Sequence, residues 1–174
     1  MSAPPPTDTG PQALNGLPRP ELVKQLLACL RVPRWANDIA DRRPFGSADE
    51  VYDAAERAAP ELTTEEIHSA LAAHPRIGQP GIDERSTTDA WSRSEQSGVD
   101  GSDDELTTAL RRGNEEYERR FGHVYLVCAS GRSGAQLLEI LRSRLDNDAG
   151  TELRIVDAEL RKIARLRLAR LIEQ

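Results

Sequence analysis

The sequence predicts an all-α fold, a bundle of about seven to eight helices. Three observations carry that expectation. Leu, Ile, Val and Ala recur three to four residues apart through most of the chain, the period of a helix with one buried face. Helix-start signals stand where those runs begin: Ser47-x-x-Glu50, Thr63-x-x-Glu66 and Ser102-x-x-Glu105 have capping-box spacing. No sustained apolar–polar alternation and no hairpin dipeptide appears. With hydrophobic residues at 38% and aromatics at only 4%, the core must be built mainly from aliphatic side chains.

The elements follow in order. Residues 1–13 are Pro, Thr and Gly with little to bury and predict a disordered tail; 14–174 predict the helical domain. From Pro20 a helix sets Leu22, Leu26 and Leu30 on one face, with Val23 and Leu27 beside them, until Pro33 stops it. Trp35, Ile39, Pro44 and Phe45 then read as an aromatic-anchored connection. Ser47 opens a helix with Val51, Ala54, Ala55 and Ala58 inward, ended by Pro60. Thr63 opens the next, whose Ile67, Leu71 and His74 lie at i, i+4 and i+7. That spacing puts His74 on the apolar face, in the last turn before Pro75. Gly78, Pro80 and Gly81 make an irregular loop.

A short helix near 88–97 holds Trp91 and Glu95 four apart. Ser102 opens a helix with Leu106, Leu110, Gly113 and Tyr117 in one stripe, stopped by Gly122. The apolar run 124–129 is too short for periodicity to classify. Ser133 starts a helix carrying Leu137, Leu138, Leu141 and Leu145. The last helix runs from about Thr151 to Leu171, with Leu153, Val156, Leu160 and Ile163 on one face. There is no internal repeat.

Length and charge narrow the function classes. A chain of 174 residues can bury a substantial core as one domain. The net charge of −6, from 29 acidic against 23 basic residues, disfavours nucleic acid as a partner, although the C-terminal stretch is locally rich in Arg. No apolar run approaches the length of a membrane span, so no membrane partner is expected. The start MSAPPPTDTGPQ lacks the basic and apolar stretches of a signal peptide, which predicts a cytoplasmic protein. Cys29 and Cys128 have no metal spacing and read as two buried thiols in a reducing compartment.

Chemistry concentrates in two segments. His74 to Gly78 read HPRIG, and Ser92 to Gln96 read SRSEQ. The first sets an imidazole beside a helix-breaking proline. The second sets a carboxylate beside an amide. Together they supply an acid/base, an orienting anion and an amide reader, which suit proton chemistry on a small polar heterocycle. By pattern alone each residue has a plainer reading. His74 fits a helix-end histidine bound to the last carbonyls as well as a partly buried neutral imidazole able to accept a proton. Glu95 and Gln96 fit a solvated helix face. Arg167, at the edge of the last apolar stripe, either meets an anion or snorkels to water. His68 and His123 read as surface or packing residues, and three histidines with no carboxylate cluster at ligand spacing give no metal site.

The motifs in sequence resemble the OHCU decarboxylases, which act on 2-oxo-4-hydroxy-4-carboxy-5-ureidoimidazoline, the last intermediate between urate and (S)-allantoin. The resemblance rests on HPRIG, on Ser92-x-x-Glu95-Gln96, on Asn114-x-x-Tyr117-x-x-x-Phe121-Gly122, and on the final-helix string I-A-R-L-R-L that contains Arg167. Arg42-Arg43-Pro44-Phe45 matches as well, and the likeness extends from about Leu14 to Leu168. It implies a stereospecific, cofactor-independent decarboxylation. His74 would be the proton donor, Glu95 would orient imidazole and heterocycle, and Arg167 would pair with negative charge on the substrate. Pro75, Ser92, Gln96 and the backbone of Tyr125, Leu126, Val127, Cys128 and Ala129 would bind the substrate, while Asn114 and Tyr117 are structural. Gln96 can donate to a carbonyl or accept from an N–H; Ser92 either binds substrate or caps its helix. The chain departs from the family at His123-Val124, where an aromatic and a proline are usual. Family likeness further implies a homodimer and functional pairing with a transthyretin-like 5-hydroxyisourate hydrolase. Two other readings share these residues: a helical ligand-binding module without turnover, and a ureide hydrolase in which His74 and Glu95 activate water.

Overall fold

The computed structural model describes residues 10–78, 87–100 and 102–174, with 87–89 as backbone only. Among these the fold is all-α, with nine helices: α1 (Pro11–Gly16), α2 (Arg19–Cys29), α3 (Pro33–Asp41), α4 (Ala48–Ala58), α5 (Thr64–Leu71), α6 (Thr87–Glu95), α7 (Asp104–Phe121), α8 (Gly134–Arg144) and α9 (Ala149–Glu173). The additional helices come from prolines that start a helix where the sequence suggested a stop or a tail. Pro33 is the first residue of α3, so Trp35 and Ile39 lie buried on a helix and not in a connection. Pro11 likewise opens α1, which takes up the end of the stretch expected to be tail. A proline at the first helical position loses nothing, because that N–H has no intrahelical partner. The first nine residues of the expected tail, and Pro80 and Gly81 of the expected loop, lie outside the described residues.

The chain divides into two compact units. One comprises α1 to α4 with α9 from Ala164 onward, the other α5 to α8 with α9 up to Ile163. In the first, Leu22 and Leu26 of α2, Ala36 and Ile39 of α3 and Val51 of α4 are buried. Polar side chains tie its helix ends. Trp35 Nε1 donates to the Ala55 carbonyl at 3.0 Å. Asn15 Nδ2 donates to the Phe45 carbonyl at 2.9 Å, and the Phe45 N–H donates back to Asn15 Oδ1 at 2.8 Å.

The second unit packs Leu110 and Tyr117 of α7 and Leu137 and Leu141 of α8 around Ile77, Tyr125, Val127 and Ala129. Its helix starts follow the capping logic. Thr63 and Glu66 close a full capping box on α5, and Ser133 with Gln136 closes another on α8. The cap of α7 is Asp103, whose Oδ1 accepts the Leu106 N–H at 3.0 Å. Ser102, the expected cap, instead donates its hydroxyl to Asp100 at 2.6 Å; a carboxylate at the N-cap also favours the positive helix end. Gly122 ends α7 as expected, in the left-handed conformation at φ 77°. Gly98 and Gly134 let the turn after α6 cross the start of α8. A Cβ on Gly98 would stand 2.1 Å from the Arg132 carbonyl oxygen, and the Gly134 N–H donates to the Gly98 carbonyl at 3.2 Å.

Candidate active site

The chemistry-bearing segments of the second unit are a loop, a helix end and a stretch without regular structure. His74 lies just beyond α5, which ends at Leu71 and not at His74 as the spacing suggested. A turn follows, in which the His74 N–H donates to the Leu71 carbonyl at 3.0 Å. Pro75 explains the early stop, since a residue before proline is disfavoured in helical conformation. His74 and Pro75 are therefore half-buried loop residues.

The rest of HPRIG is held by three side chains. Glu118 takes the Arg76 guanidinium as a fork, at 2.6 and 2.7 Å. Asn114 Nδ2 donates to the Ile77 carbonyl at 3.0 Å. The Gly78 N–H donates to Gln96 Oε1 at 2.9 Å. Gly78 has φ 84°, which a side chain would strain. The Asn114-x-x-Tyr117 motif thus has a structural account: Asn114 faces the HPRIG loop from α7.

Ser92, Glu95 and Gln96 are buried, so the solvated-face reading of this pair does not hold. Ser92 lies in the middle of α6 and accepts the Gln96 N–H on its carbonyl at 3.0 Å, so it does not cap that helix's start. With Oε1 engaged by Gly78, Gln96 has its amide N–H groups left to offer, which suits a carbonyl acceptor.

Residues 124–129 form no helix or strand. The Leu126 carbonyl accepts from Arg144 Nη1 at 2.5 Å. The Cys128 N–H donates to Glu159 Oε2 at 2.7 Å. Tyr125 sends its hydroxyl to the Leu137 carbonyl at 3.0 Å, and the Ala129 carbonyl accepts the Arg132 N–H at 3.1 Å. Between the two anchored residues, Val127 is buried, and its N–H and C=O make no hydrogen bond among the described residues. Burial pushes the Cys128 thiol pKa up, and the charges of Glu159 and Glu95 add to the rise. Cys128 is half-buried and only Cys29 is buried, which corrects the expectation of two buried thiols.

At the departure from the family pattern, His123 does an aromatic's packing work. Its ring stacks with Phe121 and meets Tyr117 edge-on, at centroid distances of 6.2 and 5.5 Å. Arg167, expected at the edge of an apolar stripe, belongs to the first unit and is only 1% exposed; its Nη1 donates to the Ala28 carbonyl at 3.2 Å.

Sequence reasoning missed a buried ionic cluster: Arg144, Glu152 and Tyr117. Glu152 is fully buried, and its carboxylate accepts from Arg144 Nε at 2.7 Å, from the Tyr117 hydroxyl and from Asn147 Nδ2 at 3.1 Å. Burial alone would raise the Glu152 pKa, but the hydrogen bonds from Arg144, Tyr117 and Asn147 hold it below the usual carboxylate value. Burial, then the bond to Glu152, pushes the Tyr117 hydroxyl well above the usual phenol range. A signal was present. Arg144 continues the Leu137–Leu141 stripe, and Glu152 begins the Val156–Leu160–Ile163 stripe in place of Leu153. A charge on an apolar stripe marks a buried partner.

Among the described residues, no group of three or more His, Cys, Asp or Glu could hold a metal, and no helix is long and apolar enough to cross a membrane.

Residues 15–169 match the family model described as OHCU decarboxylase. The chain is 32% identical over 139 residues to the 2-oxo-4-hydroxy-4-carboxy-5-ureidoimidazoline decarboxylase of Haloferax volcanii, covering 79% of this chain and 80% of that protein. It is 30% identical over 145 residues to the Uric acid degradation bifunctional protein TTL of Arabidopsis thaliana, covering 82% of this chain but only 45% of that longer protein. A crystal structure of OHCU decarboxylase in the presence of (S)-allantoin superposes with a TM-score of 0.70 at 25% identity, covering 86% of this chain and 98% of that one.

Proposed function

The chain belongs to the OHCU decarboxylase family, and from that premise we propose that it removes CO2 from OHCU to give (S)-allantoin in urate degradation. The observation that carries the reading is the Gly78–Gln96 hydrogen bond. It joins the HPRIG loop to the buried end of the SRSEQ helix, two separate motifs in a chain that matches the family over nearly its whole length.

The chemistry runs as follows. The bond to the carboxylate carbon breaks, CO2 leaves, and the electron pair delocalises into the adjacent carbonyl and imine system. The carbon that lost CO2 becomes the ring carbonyl as its hydroxyl gives up a proton, and His74 delivers a proton to one face of the adjacent ureido-bearing carbon, which sets the product's hand. Glu95 orients the imidazole and the heterocycle. Arg167 pairs with negative charge on the substrate. Gln96, with its oxygen held by Gly78, offers N–H donors to a carbonyl, and Val127 offers an N–H and a C=O to the ureido edge. Pro75 and Ser92 complete the substrate contacts, with the main chain from Tyr125 to Ala129. The reaction needs no resident cofactor, because the substrate carries its own electron sink. A cytoplasmic homodimer working with a transthyretin-like hydrolase that supplies OHCU completes the proposal. The relatives named as bifunctional uric acid degradation proteins support that pairing.

The test is to supply freshly generated OHCU and follow circular dichroism. Enzyme-driven growth of the (S)-allantoin signal with CO2 release is expected. Ammonia release or ring opening without CO2 would favour the hydrolase reading, and binding without turnover the non-catalytic one.

A further inference from the structure

We propose that Arg144, Glu152 and Tyr117 are positioning residues that hold the Val127 main chain in register for substrate; the inference rests on the reading of 125–129 as a substrate-facing segment. The anchored point is the Leu126 carbonyl, which takes Arg144 Nη1 at 2.5 Å. The remaining donors of the same guanidinium, Nε and Nη2, go to Glu152 Oε1. Tyr117 donates its hydroxyl to that carboxylate oxygen, and the guanidinium lies 5.0 Å from the ring centre of Tyr125 and 5.8 Å from that of Tyr117. On the other side of Val127, Glu159 takes the Cys128 N–H at 2.7 Å. The main chain is therefore clamped by a side chain before and after Val127, whose N–H and C=O have no partner among the described residues.

Fold stability does not account for this cluster. A buried ion pair is commonly no better for stability than apolar side chains of similar volume. What apolar groups cannot do is donate to a main-chain carbonyl in a buried segment that lacks a helix or sheet to pair it. Arg144 meets that need, Glu152 neutralises Arg144, and Tyr117 helps satisfy the carboxylate. None of the three is proposed to touch the substrate; each acts through Leu126.

The test replaces the cluster by Arg144→Met, Glu152→Leu and Tyr117→Phe made together in the full chain. A folded variant, melting within ~5 °C of the parent, is expected to show KM for freshly generated OHCU raised ~tenfold, the size of one lost well-aligned hydrogen bond. Amide exchange across 124–130 is expected to quicken in the same variant, while α7 and α8 exchange as in the parent. A purely structural role would lower the melting temperature and the active fraction but leave KM unchanged; a parental KM in the folded variant overturns the proposal. Should the triple variant not fold, Arg144→Lys decides by the same KM criterion, since a single ammonium cannot serve Leu126 and Glu152 as the planar fork does. A parent chain inactive on OHCU would sink the decarboxylase reading instead. Exchange across 124–130 would then decide the positioning role alone, parental exchange overturning it.

Discussion

At the scale of single residues, two side chains carry the heaviest demands. His74 sits in a turn where Pro75 has ended the helix, half-buried and within a loop pinned by Asn114, Gln96 and Glu118. Replacing His74 by Asn is expected to leave the fold intact and slow OHCU turnover by ~10²–10⁴-fold, the usual worth of a positioned acid/base. Near-parental turnover in a folded variant would remove the assignment. Arg167 is almost fully buried and gives one donor to the Ala28 carbonyl. Arg167→Lys keeps the charge and loses the fork, so turnover should fall; Arg167→Ala should lower it further. Its melting temperature should stay near the parent's, because a charge held near apolar walls for function is itself a stability cost. Full activity with a much earlier melt would make Arg167 a structural anchor only.

At the scale of elements, the placement of Glu95 and Gln96 depends on how α6 ends. The turn after Gln96 crosses the start of α8 at Gly98, where a Cβ would overlap the Arg132 carbonyl. Backbone has to move to admit it, and overpacking of this kind costs ~1–3 kcal/mol. Gly98→Ala is therefore expected to lower both the melting temperature and kcat/KM. Gly16→Ala, where no atom lies within 4 Å of the new Cβ, should change neither appreciably. Caps act on the same scale: Ser133→Ala removes the acceptor for the Gln136 N–H and should cost about 1 kcal/mol in denaturant unfolding. The helix starts at Thr63 and Ser133 and the stop at Gly122 were legible in sequence, because each depends on a few adjacent residues. The ends at Pro33 and Leu71 were misplaced. Proline stops one helix and starts another with equal ease, and the turn at His74 follows from a backbone preference that side-chain periodicity does not register.

For the molecule as a whole, acid should act through Glu152. Its pKa is lowered in the folded state from the ordinary 4.5. A depressed carboxylate contributes stability that is fully present above the ordinary value and is lost as pH falls through the folded value. The melting temperature should therefore decline below about pH 4.5. Glu152→Gln should melt earlier at neutral pH and show a flatter acid dependence; an unchanged slope would mean that other carboxylates dominate. A chelator, in contrast, should alter neither turnover of OHCU nor the melting temperature, since no cluster of ligand-type residues is found among those described. Loss of activity restored by zinc would overturn the cofactor-free mechanism.

The sequence by itself determined the all-α class, most helix starts and the family, because helical period, caps and short motifs are local and each is written in neighbouring residues. His74, Glu95 and Gln96 could be singled out for the same reason. Tertiary structure decided what those groups can do. Only the fold occupies the Gln96 oxygen, with the Gly78 N–H from another segment, and leaves its N–H groups to offer. Only the fold shows that Arg144 and Glu152, charges set on two separate apolar stripes, meet Tyr117 beneath a main-chain carbonyl. Such contacts join residues distant in sequence, and their energies depend on burial, which hydrophobic period indicates for apolar side chains but leaves open for the charges set among them.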